Sequence, residues 1–150
     1  MDLKNNFWKD YPELEKELVQ VQQLMKSHVT IKNSDVKSAI FDIFDAGGKM
    51  LRPAYLLLFS GFTDLSENER LALAASVEMM HTATLVHDDV IDHADTRRGV
   101  ATLSAKYGPE IAVYAGDYLF IAVFRLMSEH SLELSNLTKN IGFKLAFIRW

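Results

Sequence analysis

The stretch from Ser66 to Ile91 constrains this chain more than any other. It holds no glycine or proline, and apolar and small residues such as Leu71, Ala74, Ala75 and Leu85 recur along it. Ser66 and Glu69 form a capping-box pair at its start. One helix of roughly 35–40 Å is therefore expected, at 1.5 Å per residue. It ends in Asp88-Asp89-Val90-Ile91-Asp92, three carboxylates within five residues. The C-terminal end of a helix already carries partial negative charge, and Asp88 and Asp92, four apart, share a face. Such an ending is unfavourable without something positive beside it.

The remaining segments also read as helices. Leu14, Leu18, Val21 and Met25 mark a first amphipathic helix, with Asp10 as its expected cap and Pro12 in its first turn. Ser34 is the expected cap of a second, which buries Val36, Ala39, Ile40, Ile43 and Phe44 and stops at Gly47-Gly48. Arg52 precedes a proline and is biased away from helix, so a third helix is expected from Pro53 to Ser60. Its Tyr55-Leu56-Leu57-Leu58-Phe59 run is apolar nearly all round, and burial is expected. His93 to Val100 reads as a polar loop, Ala101 to Tyr107 as a short helix, and Pro109 to Glu129 as a sixth. The fold class is all-α, a bundle of about six helices, with residues 1–150 as one domain.

Composition narrows the function. A net charge of −4 gives no electrostatic reason to expect a nucleic-acid partner. The absence of cysteine excludes disulfides and thiolate metal sites. The first residues carry no apolar signal core, and no apolar run reaches the ~20 residues of a membrane span, so no transmembrane segment and a cytoplasmic location are expected.

The acids have a chemical reading. A hard cation such as Mg²⁺ takes one or two carboxylates and completes its octahedral shell with water and substrate phosphates. Asp88 and Asp92 can share such an ion, with Asp89 turned aside as a helper. Arg97 and Arg98 follow directly and can grip phosphate, or simply pair with the neighbouring aspartates. Lys49 and Arg52, after two glycines, can form a second anion site or an ordinary charged turn. His81 lies two turns before Asp88 on roughly the same face, as a phosphate donor or a satisfied core histidine.

Gly47-Gly48-Lys49-Met50-Leu51-Arg52-Pro53, His81, Asp88-Asp89-Val90-Ile91-Asp92 and Arg97-Arg98-Gly99, in that order and spacing, resemble the trans-prenyltransferases, the polyprenyl diphosphate synthase family. Gly116-Asp117-Tyr118-Leu119-Phe120 is similar to that family's following helix, and the likeness covers about 14–135. The resemblance implies an isoprenoid-synthase-type bundle around a cavity, and Mg²⁺-dependent addition of isopentenyl diphosphate to an allylic diphosphate. By position, Asp88 and Asp92 are the metal ligands and Asp89 belongs to the same catalytic motif. Arg97 matches the allylic-diphosphate arginine, and Lys49, Arg52, His81 and Arg98 match the isopentenyl-diphosphate site. Ala83 and Thr84 fall where the family sets product length, and neither is aromatic, which implies a longer product.

The family's second aspartate-rich motif has no counterpart in these residues, 136–150 read as an atypical tail, and Phe143 to Trp150 do not resemble the family's next helix. The expectation is the N-terminal half of a synthase, truncated or frame-disrupted, inactive or weak alone, and either a homo-oligomer such as a dimer or the complementing subunit of a two-component enzyme. Two other chemistries compete. An HD-type phosphohydrolase could use His87-Asp88 with His28, His81, His93 and His130, but leaves the Gly-Gly-Lys and Arg-Arg motifs without a role. A class I terpene cyclase would use the acids but has no need of Lys49 and Arg52.

Overall fold

The computed structural model describes residues 7–46, 48–97 and 99–130. Among them are six helices: α1 (Pro12–Ser27), α2 (Ser34–Asp45), α3 (Leu51–Ser60), α4 (Glu67–Ile91), α5 (Leu103–Tyr107) and α6 (Pro109–Glu129). The all-α class expected from periodicity is what forms. A small antiparallel hairpin, β1 (Thr96–Arg97) and β2 (Val100–Ala101), pairs Thr96 with Ala101 and Arg97 with Val100. It replaces the polar loop expected there. Its turn contains Gly99 at φ +79°, a backbone angle glycine adopts without steric cost.

α4 is the axle. It packs most extensively on α6 and also on α3 and α1. Its start is fixed as expected: Ser66 Oγ accepts from the Glu69 amide at 3.4 Å, while the Glu69 carboxylate accepts from the Ser66 amide at 2.7 Å. Leu71, Ala72, Ala74, Ala75, Met79, Ala83 and Val86 bury one broad strip of α4. Against it lie Ala112, Ala115, Leu119, Ala122, Val123 and Leu126 from α6, and Leu14, Leu18, Val21 and Met25 from α1 complete the core.

Several helix ends differ from the sequence reading by a residue or two, each for a local reason. α1 begins after Tyr11, not Asp10, and has no side-chain cap. α2 is capped by Asn33, whose side-chain oxygen accepts from the Asp35 and Val36 amides at 3.0 and 3.1 Å. Ser34 is already helical. α2 ends at Asp45 with Ala46 as its cap, and Gly47 lies outside the described residues. α3 starts at Leu51, so Arg52 is helical despite preceding Pro53. The chain enters through Met50, left-handed at φ 51° and buried, and Pro53 occupies the first turn, where its missing N–H costs nothing.

The apolar run of α3 is a larger departure. Ala54 and Leu57 are buried, but Tyr55, Leu58 and Phe59 are exposed, as is Phe62 just beyond. α6 shows the same asymmetry, with Val113, Tyr114, Ile121 and Phe124 facing outward. α6 is also long and apolar enough, by length and composition, to cross a membrane. The expectation that no segment reaches that length is therefore amended, although a helix packed into a helical core passes the same test and seven residues of α6 are buried here.

The loop between α1 and α2 is tied to α6 by polar contacts. The Tyr118 hydroxyl accepts from the Thr30 amide at 2.6 Å, and Arg125 donates to the His28 carbonyl at 3.0 Å. His28 Nε2 lies 3.2 Å from a Glu129 carboxylate oxygen.

Candidate functional site

His81, Asp88 and Asp92 fall at intervals of seven and four along α4, which places them in one line on a 3.6-residue helix. His81 and Asp88 are half-buried and Asp92 is exposed. The buried strip of Met79, Thr82, Ala83 and Val86 lies on the other side of the helix. This line of side chains therefore lies opposite the strip that the core buries. Asp92 caps the helix, with its amide donating to the Asp88 carbonyl at 2.8 Å. Neither Asp88 nor Asp92 has an ion-pair partner among the described residues.

Asp89 behaves differently. Its residue is only 5% exposed, and its carboxylate takes the Arg97 Nε–H at 2.7 Å. β1 delivers Arg97 to this position, because the hairpin folds back over the end of α4. The Thr102 hydroxyl locks that return by donating to the Ala94 carbonyl at 2.7 Å. The pair borders an apolar pocket lined by Ile43, Leu85, Val86 and Val100. Of the two sequence readings of Arg97, partner for a neighbouring aspartate is the contact that forms. Arg98 lies outside the described residues.

Two carboxylates one turn apart, both without an ion-pair partner among the described residues and both at the negative end of a long helix, suit a divalent cation that also needs oxygen from a substrate phosphate. Among the described residues no three His, Asp or Glu side chains cluster closely enough to cage an ion alone. Asp89, the third acid of the motif, is engaged by Arg97.

Lys49 and Arg52 flank the entry to α3, and both are exposed. The Lys49 carbonyl accepts from Trp8 Nε1 at 2.6 Å, and its ammonium sits 4.5 Å from the Phe7 ring centroid. α3 packs on α4, so this basic turn belongs to the same packed unit as the acidic one. Ala83 is fully buried in the core, whereas Thr84 is half-buried and its hydroxyl donates to the His81 carbonyl at 2.7 Å.

One contact went unseen in the sequence. His87 Nε2 lies 3.2 Å from the Val113 carbonyl and 3.3 Å from Asp117 Oδ1, and its ring is 5.6 Å from that of Phe120. Gly116 lies directly under the ring. His87 is thus occupied by α6, which disfavours the phosphohydrolase reading that needs it as a metal ligand. No periodicity links residues on two helices, so only the Gly116-Asp117 pair hinted at a close approach.

The sequence profile described as "Polyprenyl synthetase" matches residues 33–147. The chain is 37% identical over 119 residues to heptaprenyl diphosphate synthase component 2 of Geobacillus stearothermophilus, covering 79% of this chain and 37% of that protein. It is 38% identical over 120 residues to the geranylgeranyl diphosphate synthase of Saccharolobus solfataricus, covering 80% of this chain and 35% of that one. The crystal structure of geranylgeranyl pyrophosphate synthase from Lactobacillus brevis superposes with a TM-score of 0.81 at 36% identity, covering 89% of this chain and 42% of that one. The chain spans about a third of the length of the curated relatives it matches, 37% and 35% for these two.

Proposed function

The chain belongs to the polyprenyl synthetase family, and from that premise we propose that it carries the first half of the substrate-holding machinery of a trans-prenyltransferase, which joins isopentenyl diphosphate to an allylic diphosphate. The observation that supports this most is the alignment of His81, Asp88 and Asp92 along one side of α4, opposite its buried strip.

Asp88 and Asp92 would hold Mg²⁺ beside the allylic diphosphate. When bound, Mg²⁺ offsets the negative charge that builds on the departing pyrophosphate. Lys49, Arg52, His81 and Arg98 grip isopentenyl diphosphate and orient its double bond toward the allylic carbon, which converts an encounter into an aligned attack. Asp89 acts through Arg97: it accepts from Nε–H and so holds the guanidinium beside the acidic turn, where the Nη groups can meet a diphosphate oxygen. Thr84, on the open side, limits product length more directly than Ala83, which the core encloses. A small residue there favours a product beyond fifteen carbons; an intact enzyme making only fifteen-carbon product would refute this.

These 150 residues contain a single Asp-Asp-x-x-Asp motif. Residues 1–150 therefore form one partial domain that binds a diphosphate without condensing it. Its setting is cytoplasmic. The exposed apolar faces of α3 and α6 favour a homo-oligomer, since patches of this kind mark contact surfaces. A second reading, a subunit that complements another chain, draws on the relative whose name includes "component 2".

The test is equilibrium dialysis of the purified chain against radiolabelled farnesyl diphosphate, with Mg²⁺ or with EDTA. Retention that requires Mg²⁺ and falls at least tenfold in Asp88→Asn and Asp92→Asn is expected, with no longer product after isopentenyl diphosphate is added. Retention indifferent to Mg²⁺ or to both substitutions refutes the site. Efficient elongation by this chain alone refutes the division of labour. Elongation that appears only with a chain bearing a second aspartate-rich motif favours the complementing subunit.

A further inference from the structure

We propose that His87 is a positioning residue that pins the acidic turn of α4 to α6 and so sets the direction in which Asp88 and Asp92 present their carboxylates. The last turn of a helix has carbonyls without intrahelical donors and opens readily. An octahedral cation tolerates little variation in the separation of its ligands. A turn that binds such an ion through two side chains needs an external hold.

His87 supplies it. The ring spans successive turns of α6: Nε2 meets the Val113 carbonyl and the Asp117 carboxylate, and the ring packs tilted beside that of Phe120. This close approach is possible only because residue 116 is glycine. A methyl group there would overlap the ring at Nε2 and Cδ2 and lie 3.1 Å from Cε1. To swing aside, the ring would have to give up both of its contacts at Nε2. One residue beyond Asp88, Asp89 is held by Arg97. The turn is therefore fixed from two flanks, by α6 through His87 and by the hairpin through Asp89. Asp88 and Asp92 are left to the remaining side, the side of His81.

The metal consequence of this inference rests on the proposed function; the pinning itself does not. The experiment reads both, on the whole chain. Retention of inorganic pyrophosphate is titrated with Mg²⁺, and amide hydrogen exchange is followed at residues 88–93. His87→Ala and Gly116→Ala should each weaken Mg²⁺-dependent retention by ~10–100-fold, the usual effect of removing a group that orients metal ligands without touching the metal. His87→Gln, which keeps an N–H donor, should recover part of the loss. In the His87→Ala background Gly116→Ala should add nothing, because the methyl group then enters vacated space. Exchange should quicken at 88–93 and not in the first half of α4. Unchanged Mg²⁺ dependence in His87→Ala, with retention intact in the parent chain, overturns the positioning role even if the variant melts earlier. If the parent chain itself retains no pyrophosphate, the proposed function has failed. The pinning is then judged on exchange alone: faster exchange confined to 88–93 upholds it, and uniform or unchanged exchange overturns it.

Discussion

Replacing Arg97 with methionine should destabilise the chain more than replacing its partner Asp89 with leucine. Asp89 and Arg97 meet at 2.7 Å, with side-chain exposures of 8% and 36% respectively. Two unit charges at about 4 Å attract by ~4 kcal/mol at an effective dielectric of ~20, and most of this is offset by taking Asp89 out of water. The asymmetry lies in what each substitution leaves behind. Arg97→Met strands a carboxylate among Ile43, Leu85, Val86 and Val100. Losing a partner in a fully buried pair costs ~3–5 kcal/mol, and the partial exposure of Arg97 lowers the expected figure to ~2–3 kcal/mol. Asp89→Leu puts an apolar side chain into an apolar pocket and releases an arginine that can turn to water, for a cost of ~0–1 kcal/mol. The double variant should resemble Asp89→Leu alone, a coupling of ~2 kcal/mol. Urea unfolding at fixed low protein concentration measures all four species, with a shift in midpoint at unchanged slope. Equal costs for the two single variants, or additive costs in the double, would show that the pair is not held as described.

Three further outcomes follow from the same structure. Asn33→Ala should cost ~1 kcal/mol by thermal melting, because two amides lose their acceptor, while Ser34→Ala should change little. Tyr118→Phe removes the acceptor of the Thr30 amide, so exchange at that amide should quicken while α4 is unaffected. Phe59→Lys with Phe62→Lys should reduce concentration-dependent association in sedimentation velocity without lowering helicity, since both residues are more than two-thirds exposed at 70% and 89%.

The helices were legible because their signals are local. Leu14, Leu18, Val21 and Met25 repeat at helical spacing and are buried together, and Ser66 with Glu69 announces α4 by side-chain chemistry alone. The line of His81, Asp88 and Asp92 was legible for the same reason. Burial of Tyr55 and Phe59 was misjudged because an apolar run shows an appetite for cover and not what supplies it. The hairpin at Thr96–Ala101 was missed because each strand has two residues, too short for alternation to register. The seat of His87 on Gly116 and the hold of Asp89 on Arg97 arise from how separate segments meet, which no spacing along one helix encodes.

The capping box of α4 has a consequence for how such a chain can change length. Ser66 and Glu69 fix where the helix starts, and each residue after them advances its face by about 100°. One residue inserted between Glu69 and His81 would turn the acids away from the open side and bring apolar neighbours out in their place. The same insertion between Gly61 and Leu65, ahead of the cap, would be absorbed by the connection. Length variation should therefore accumulate before Ser66 and be purged after it, leaving a gap-free block that ends at the aspartates.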